Sequence, residues 1–174
     1  MRHLVAVGIA LLALACGGGG KTVRSSGGQD QTPSWLAEGS GAVRAEGGKR
    51  LQGVGVASGV SDPRARRRQA DAAAREQLQG TVDALARTLA KMSESGQQGL
   101  VETTTSLARK AAAQSAAIRD HWVTPDGDER AVAVLDLDAL RRSLQAGDGD
   151  DRVRGEMAAN IDRAFDQLAA GGGR

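Results

Sequence analysis

Apolar side chains recur at every third or fourth position between residues 70 and 92: Ala70, Ala74, Leu78, Val82, Leu85, Leu89 and Met92. This spacing lays one apolar stripe along a long helix. Asp62 and Pro63 stand where an N-cap and a first helical residue belong. Gly80 falls within the helix at a cost of about 1 kcal/mol relative to alanine, so packing must hold that turn. Residues 93–99 break the pattern. A second helix then presents Leu100, Thr104, Leu107 and Ala111 on one face. After the polar residues 148–151, Val153, Met157, Ile161, Phe165 and Leu168 mark a last amphipathic helix, which Gly171 ends.

The stretches between these helices read differently. Residues 41–46 and 50–57 flank the turn-like Gly47-Gly48-Lys49. Residues 116–123 and 130–137 flank Thr124-Pro125-Asp126-Gly127-Asp128. Both pairs read as hairpins. In the last strand Ala131, Ala133, Leu135 and Leu137 face one way, and Val132, Val134 and Asp136 the other. Asp138 then stands as the cap of a short helix over residues 139–145. Order starts at Pro33-Ser34-Trp35-Leu36, where the first large apolar side chains of the domain stand. Trp35 and Trp122 read as core anchors, since no other side chain here brings as much apolar area. Hairpins and helices together place the chain in the α+β class.

The start of the chain carries an address. Residues 4–14 are an unbroken apolar run after Arg2 and His3. The run has the length of a signal-peptide core and falls short of the ~20 residues that span a bilayer. Ala15 then precedes Cys16, the one cysteine of the chain. This arrangement resembles a bacterial lipobox, in which a peptidase cuts before a cysteine whose thiol carries diacylglycerol. The resemblance implies lipidation at Cys16, with enough acyl chains for stable anchoring. Gly17 follows the cysteine, where an aspartate would signal inner-membrane retention, so the resemblance implies the outer membrane. Residues 17–32 are rich in Gly, Ser and Gln and form a tether with a root-mean-square reach of about 20–25 Å.

Composition narrows the function. The 174 residues suffice for one domain. Lys and Arg number 23 against 21 Asp and Glu, too even a balance for a nucleic-acid protein. With two Trp, one Phe and no Tyr, a stacking platform for bases or sugars is hard to build. A single cysteine excludes an intrachain disulfide, a Cys-rich zinc site and a CxxC redox pair.

Few residues suggest chemistry. Gly53-Val54-Gly55-Val56-Ala57-Ser58 resembles a dinucleotide fingerprint but ends in Ser58, and its glycines fall within a strand. They read better as small residues that let a helix cross the sheet closely. Asp126-Gly127-Asp128 and Asp148-Gly149-Asp150-Asp151 lack the Gly and Glu spacing of a calcium loop and read as turn and cap residues. His121 is the one histidine beyond the leader and has no second ligand at metal spacing and no GxSxG nucleophile beside it. It reads as a strand residue. Arg64, Arg66, Arg67 and Arg68 crowd the first turns of the long helix, the end whose dipole is already positive. A solvated face explains them; the sharper alternative is contact with an anion such as a lipid phosphate or a glycan.

The order of Pro33-Ser34-Trp35-Leu36, Gly53-Val54-Gly55 entering an Ala-rich helix, His121-Trp122, Asp126-Gly127 and the strand running into Asp138 resembles the Lpp-twenty family of bacterial lipoproteins. The resemblance spans residues 33–145. It implies an antiparallel sheet against helices, anchored to the cell envelope, with no catalytic residues.

The expectation is therefore an α+β fold with a small antiparallel sheet packed against two long helices, plus a C-terminal helix. Residues 1–15 form the lipoprotein signal peptide, 16–32 the tether, 33–146 the domain, and 147–174 the C-terminal helix and Gly-rich tail. The function expected is a non-enzymatic interaction or structural module without cofactor or metal. It is held by Cys16 on the periplasmic face of the outer membrane and meets an envelope protein partner, not nucleic acid. The alternatives are an accessory subunit of a secretion, pilus or flagellar assembly and, less in keeping with the residues, a cell-wall hydrolase.

Overall fold

The computed structural model describes residues 32–92 and 98–171. The signal segment, Cys16 and residues 17–31 of the tether lie outside the described residues. In chain order the elements are α1 (Ser34–Glu38), β1 (Gly41–Ala45), β2 (Gly48–Ala57), α2 (Pro63–Met92), α3 (Gln98–Ser115), β3 (Ala117–Val123), β4 (Glu129–Asp136), α4 (Leu137–Ala146) and α5 (Asp151–Gly171). The strands form one antiparallel sheet in the order β1-β2-β4-β3, so the fold is α+β as the pattern indicated. The break expected over residues 93–99 falls largely outside the described residues, and α3 is already helical at Gln98.

One face of the sheet carries the core. Leu51, Ala57, Ala131, Ala133 and Leu135 are fully buried there. Between them Gly53 and Gly55 let α2 lie directly on the strand. A Cβ on Gly53 would come 2.1 Å from the backbone nitrogen of Leu78, and one on Gly55 would come 2.2 Å from that of Ala74. Only hydrogen fits at either position. The stripe Ala70, Ala74, Leu78, Val82, Leu85 and Leu89 is buried along this contact. Gly80 is on the far side, exposed, with open space where a side chain would stand.

The other helices complete this layer. Arg109 on α3 grips Asp83 on α2 with both carboxylate oxygens engaged, at 2.8 and 2.6 Å. On α5, Val153, Met157, Ile161 and Phe165 all enter the core. Arg44 on β1 meets Asp166 at 2.9 Å, and Lys49 on β2 meets Asp162 and Asp166 at 3.0 and 2.9 Å. Residues 147–171 thus pack into the same unit as residues 33–146.

Helix starts follow local chemistry. Asp62 Oδ1 accepts from the backbone N–H groups of Arg64 and Ala65, as its position before Pro63 predicts. The cap of α4 differs from expectation. It is Asp136, whose Oδ1 accepts from the Ala139 nitrogen at 3.0 Å, and Asp138 is an exposed acidic residue in the first turn. The strand stops at Asp136 because the helix takes Leu137 and buries it.

Trp122 also departs from expectation. The ladder between β3 and β4 shifts register between Ile118 and Asp120, so Arg119 is an extra residue. Beyond this bulge the side-chain alternation reverses phase. Ile118 and His121 consequently share the helix-facing side, opposite Ala133 and Ala131. Trp122 turns to the other side, opposite Arg130, and is only partly buried. Trp35, by contrast, is 7% exposed.

Candidate functional site

The sheet face away from the core helices is the outer face. By register it carries Arg50, Gln52, Val54 and Val56 on β2, Arg130, Val132 and Val134 on β4, and Asp120 and Trp122 on β3. Helix α1 lies across part of it. The Trp35 indole N–H donates to Asp120 Oδ2 at 2.9 Å, Gln52 Nε2 donates to the Gly39 carbonyl, and Arg50 pairs with Glu38 at 2.7 Å. Gln52 and Val132 are buried on this covered part. Just before β1 begins, Ser40 Oγ accepts from the Val54 N–H and closes the edge of β2.

The next row across the sheet lies beyond these α1 contacts and is partly exposed. Val56, Arg130 and Trp122 stand side by side on three adjacent strands. Val56 is 42% exposed. Arg130 Nε is buried without a hydrogen-bond partner. On the opposite face at the same end, Val123 is 49% exposed.

Behind this row, on the helix-facing side, the first turns of α2 meet β3 and β4 through charged side chains. Arg66 lies 3.6 Å from the buried carboxylate of Glu129 and donates to the Val60 carbonyl. Arg67 Nη2 is 3.0 Å from His121 Nδ1, and His121 Nε2 is 2.6 Å from Asp71 Oδ1. A guanidinium only donates, so Nδ1 must accept, and the proton of the neutral ring sits on Nε2 and is given to Asp71. The order is carboxylate, imidazole, guanidinium. Arg67 holds the nitrogen that a general base would turn toward a nucleophile.

The four arginines expected as one cluster therefore divide. Arg66 and Arg67 bond within the domain, Arg67 from an exposed position, and Arg64 and Arg68 are exposed. Asp71 and Glu129 were not visible as their partners from the sequence. Asp71 stands one helical turn after Arg67, but only the fold brings His121 between them. Cys16 lies outside the described residues.

Elsewhere polar side chains do structural work. Asp148 pairs with Lys110 at 2.9 Å, and Asp150 accepts from the Val153 N–H at the start of α5. Gly127, at φ 86°, closes the β3–β4 turn. Among the described residues, no three His, Cys, Asp or Glu side chains are grouped to hold a metal ion. Nor is any helix among them long and apolar enough to cross a membrane. A depression between α3 and α4, lined by Leu107, Lys110, Ser143 and Arg154, has room for about one water molecule. No family model, curated protein or solved structure matches the chain.

Proposed function

We propose that this chain is a non-enzymatic, lipid-anchored protein of the cell envelope whose domain acts as an interaction or structural module. The observation that carries this is the outer sheet face. A sheet with helices on one side and, on the other, an incompletely covered face where Val54, Val56, Val134 and Trp122 stand among charged residues offers a surface for contact. The residues with chemical potential point the same way, because His121 is held between Arg67 and Asp71 with both ring nitrogens engaged. The apolar run over residues 4–14 and Cys16 support the anchor, and the likeness to the Lpp-twenty lipoproteins supports the envelope as its place.

The test is metabolic labelling with palmitate followed by membrane fractionation. The native chain is expected to carry label and sediment with outer membranes. Cys16→Ala is expected to lose the label and either keep its signal segment or appear in soluble form. A native chain without label, or a Cys16→Ala protein that stays in the membrane after signal cleavage, would overturn the reading.

A further inference from the structure

We infer that the partly exposed row Val56–Arg130–Trp122 docks on the phospholipid surface of the membrane that holds the anchor. This rests on the reading of Cys16 as a lipid attachment site and names the partner of the same outer face.

The side chains suit a headgroup layer. An indole prefers the boundary between apolar chains and water, where its ring is dry and its N–H is wet. Val56, at 42% exposure, adds apolar surface beside it. Arg130 lies between the two by register, and among the described residues it forms no ion pair. Its Nε is buried, so the two Nη groups are the ones left to meet a phosphate, a match of two parallel hydrogen bonds.

The chain leads to this face. Thr32 runs directly into α1, and α1 lies on the outer face through Trp35, Gln52 and Arg50. Sixteen residues, 17–32, separate that point from Cys16. A domain tied to the membrane through Cys16 meets it at high effective concentration, where even a weak contact is populated.

Size decides against a protein in this place. Strands lie about 4.8 Å apart, so a row across three strands is about 10 Å wide. A stable protein interface takes about 800 Å² from each partner. A strip this narrow suits a surface to which the chain is already tied.

Charge does not drive the contact. Arg64, Arg66, Arg67, Arg68 and Arg130 at this end are matched by Asp62, Asp71, Asp126, Asp128 and Glu129. With the two signs in balance, apolar burial and the single Arg130–phosphate contact hold the face down. The docking therefore persists at high salt, unlike binding through a basic cluster.

The experiment uses the full lipidated chain, inserted by its own anchor into vesicles of phosphatidylethanolamine and phosphatidylglycerol. In one set the acyl chains are brominated near the headgroup. Bromine is expected to quench Trp122 and spare the buried Trp35, removing roughly half of the indole emission. The loss should survive about 1 M salt, where the Debye length is about 3 Å. Trp122→Phe should abolish the loss. Val56→Asp, at an exposed position, should reduce it while leaving the circular dichroism and palmitate label unchanged. Equal emission from an anchored, labelled chain in both sets of vesicles would overturn the docking and leave the anchor standing. Quenching that disappears at high salt would show that charge, not apolar burial, holds the contact, and overturn the role given to Val56 and Trp122. A chain that takes no palmitate would overturn both readings.

Discussion

Gly53 and Leu78 touch through backbone alone. The position a Cβ would occupy on Gly53 is 2.1 Å from the Leu78 nitrogen, and Gly55 repeats the arrangement one helical turn away with Ala74. Neither neighbour is a flexible side chain that could move aside. Gly53→Ala and Gly55→Ala are each expected to destabilise the domain by about 3 kcal/mol or more, measured by urea unfolding. Gly80→Ala should do the opposite. Its site is exposed and open, so the helix gains about 1 kcal/mol and the melting point rises by about 3 °C.

The two tryptophans should separate in the same way. Trp35 is 7% exposed, and its indole donates to Asp120, so Trp35→Ala is expected to cost about 3–5 kcal/mol. Trp122 lies on the outer face, and Trp122→Ala should cost about 1 kcal/mol. Chemical denaturation of the two variants checks the order; equal losses would place Trp122 in the core.

The arginines of α2 are not equivalent. Arg67 donates to His121, so Arg67→Leu should lower stability by about 1 kcal/mol. Arg64→Ser and Arg68→Ser remove exposed positive charge from a positive helix end and should leave stability unchanged or slightly higher. Nitrogen-15 spectra of the imidazole provide a direct check, since the contacts require the proton on Nε2 in the neutral ring. A proton on Nδ1 would break the assignment.

Acid should weaken the fold from a definite side. The Arg109 hydrogen bonds hold Asp83 below the usual carboxylate range, and Lys49 followed by Arg44 does the same for Asp166. Lys110 lowers Asp148, and the backbone N–H of Ala65, followed by that of Arg64, lowers Asp62. A carboxyl group depressed in the folded state binds fewer protons there than in the unfolded chain. Its contribution is complete above the unfolded value of about 3.9 and is lost as pH falls through the folded one. Urea midpoints should thus be level at neutral pH and decline below about pH 4. Lys49 is raised by its hydrogen bonds to Asp166 and then Asp162, so its contribution is lost only in strong alkali.

Much of this architecture was legible because local chemistry wrote it. The stripe from Ala70 to Leu89, the turns at Gly47-Gly48 and Asp126-Gly127, and the cap at Asp62 each use a signal carried within a few residues. The close crossing at Gly53 and Gly55 was legible too, because glycines inside a strand have few other uses. What escaped depends on one unseen residue of register. Strict alternation from Ile118 carries Trp122 to the core side; the extra residue at Arg119 reverses it. The cap of α4 escaped for a related reason: Asp136 and Asp138 are both chemically suited, and only the point where the strand ends chooses between them. The Arg67–His121–Asp71 contact spans elements far apart in sequence, and no short-range pattern announces it.

The central ladder has a consequence in time. β2 pairs along its whole core-facing length with β4, Leu51 opposite Leu135, residues almost half the chain apart. A polypeptide emerging N-terminus first can close β1 onto β2 and wind α2 at once, since those contacts are local. The middle of the sheet must wait until residues 129–136 have emerged, and the layer above it waits further for Phe165. Until then β2 presents an unfilled edge, and loop closure across that span sets the pace of folding. The sheet and its helical layer are therefore completed late, and a chain halted before α5 is the form most exposed to aggregation and proteolysis.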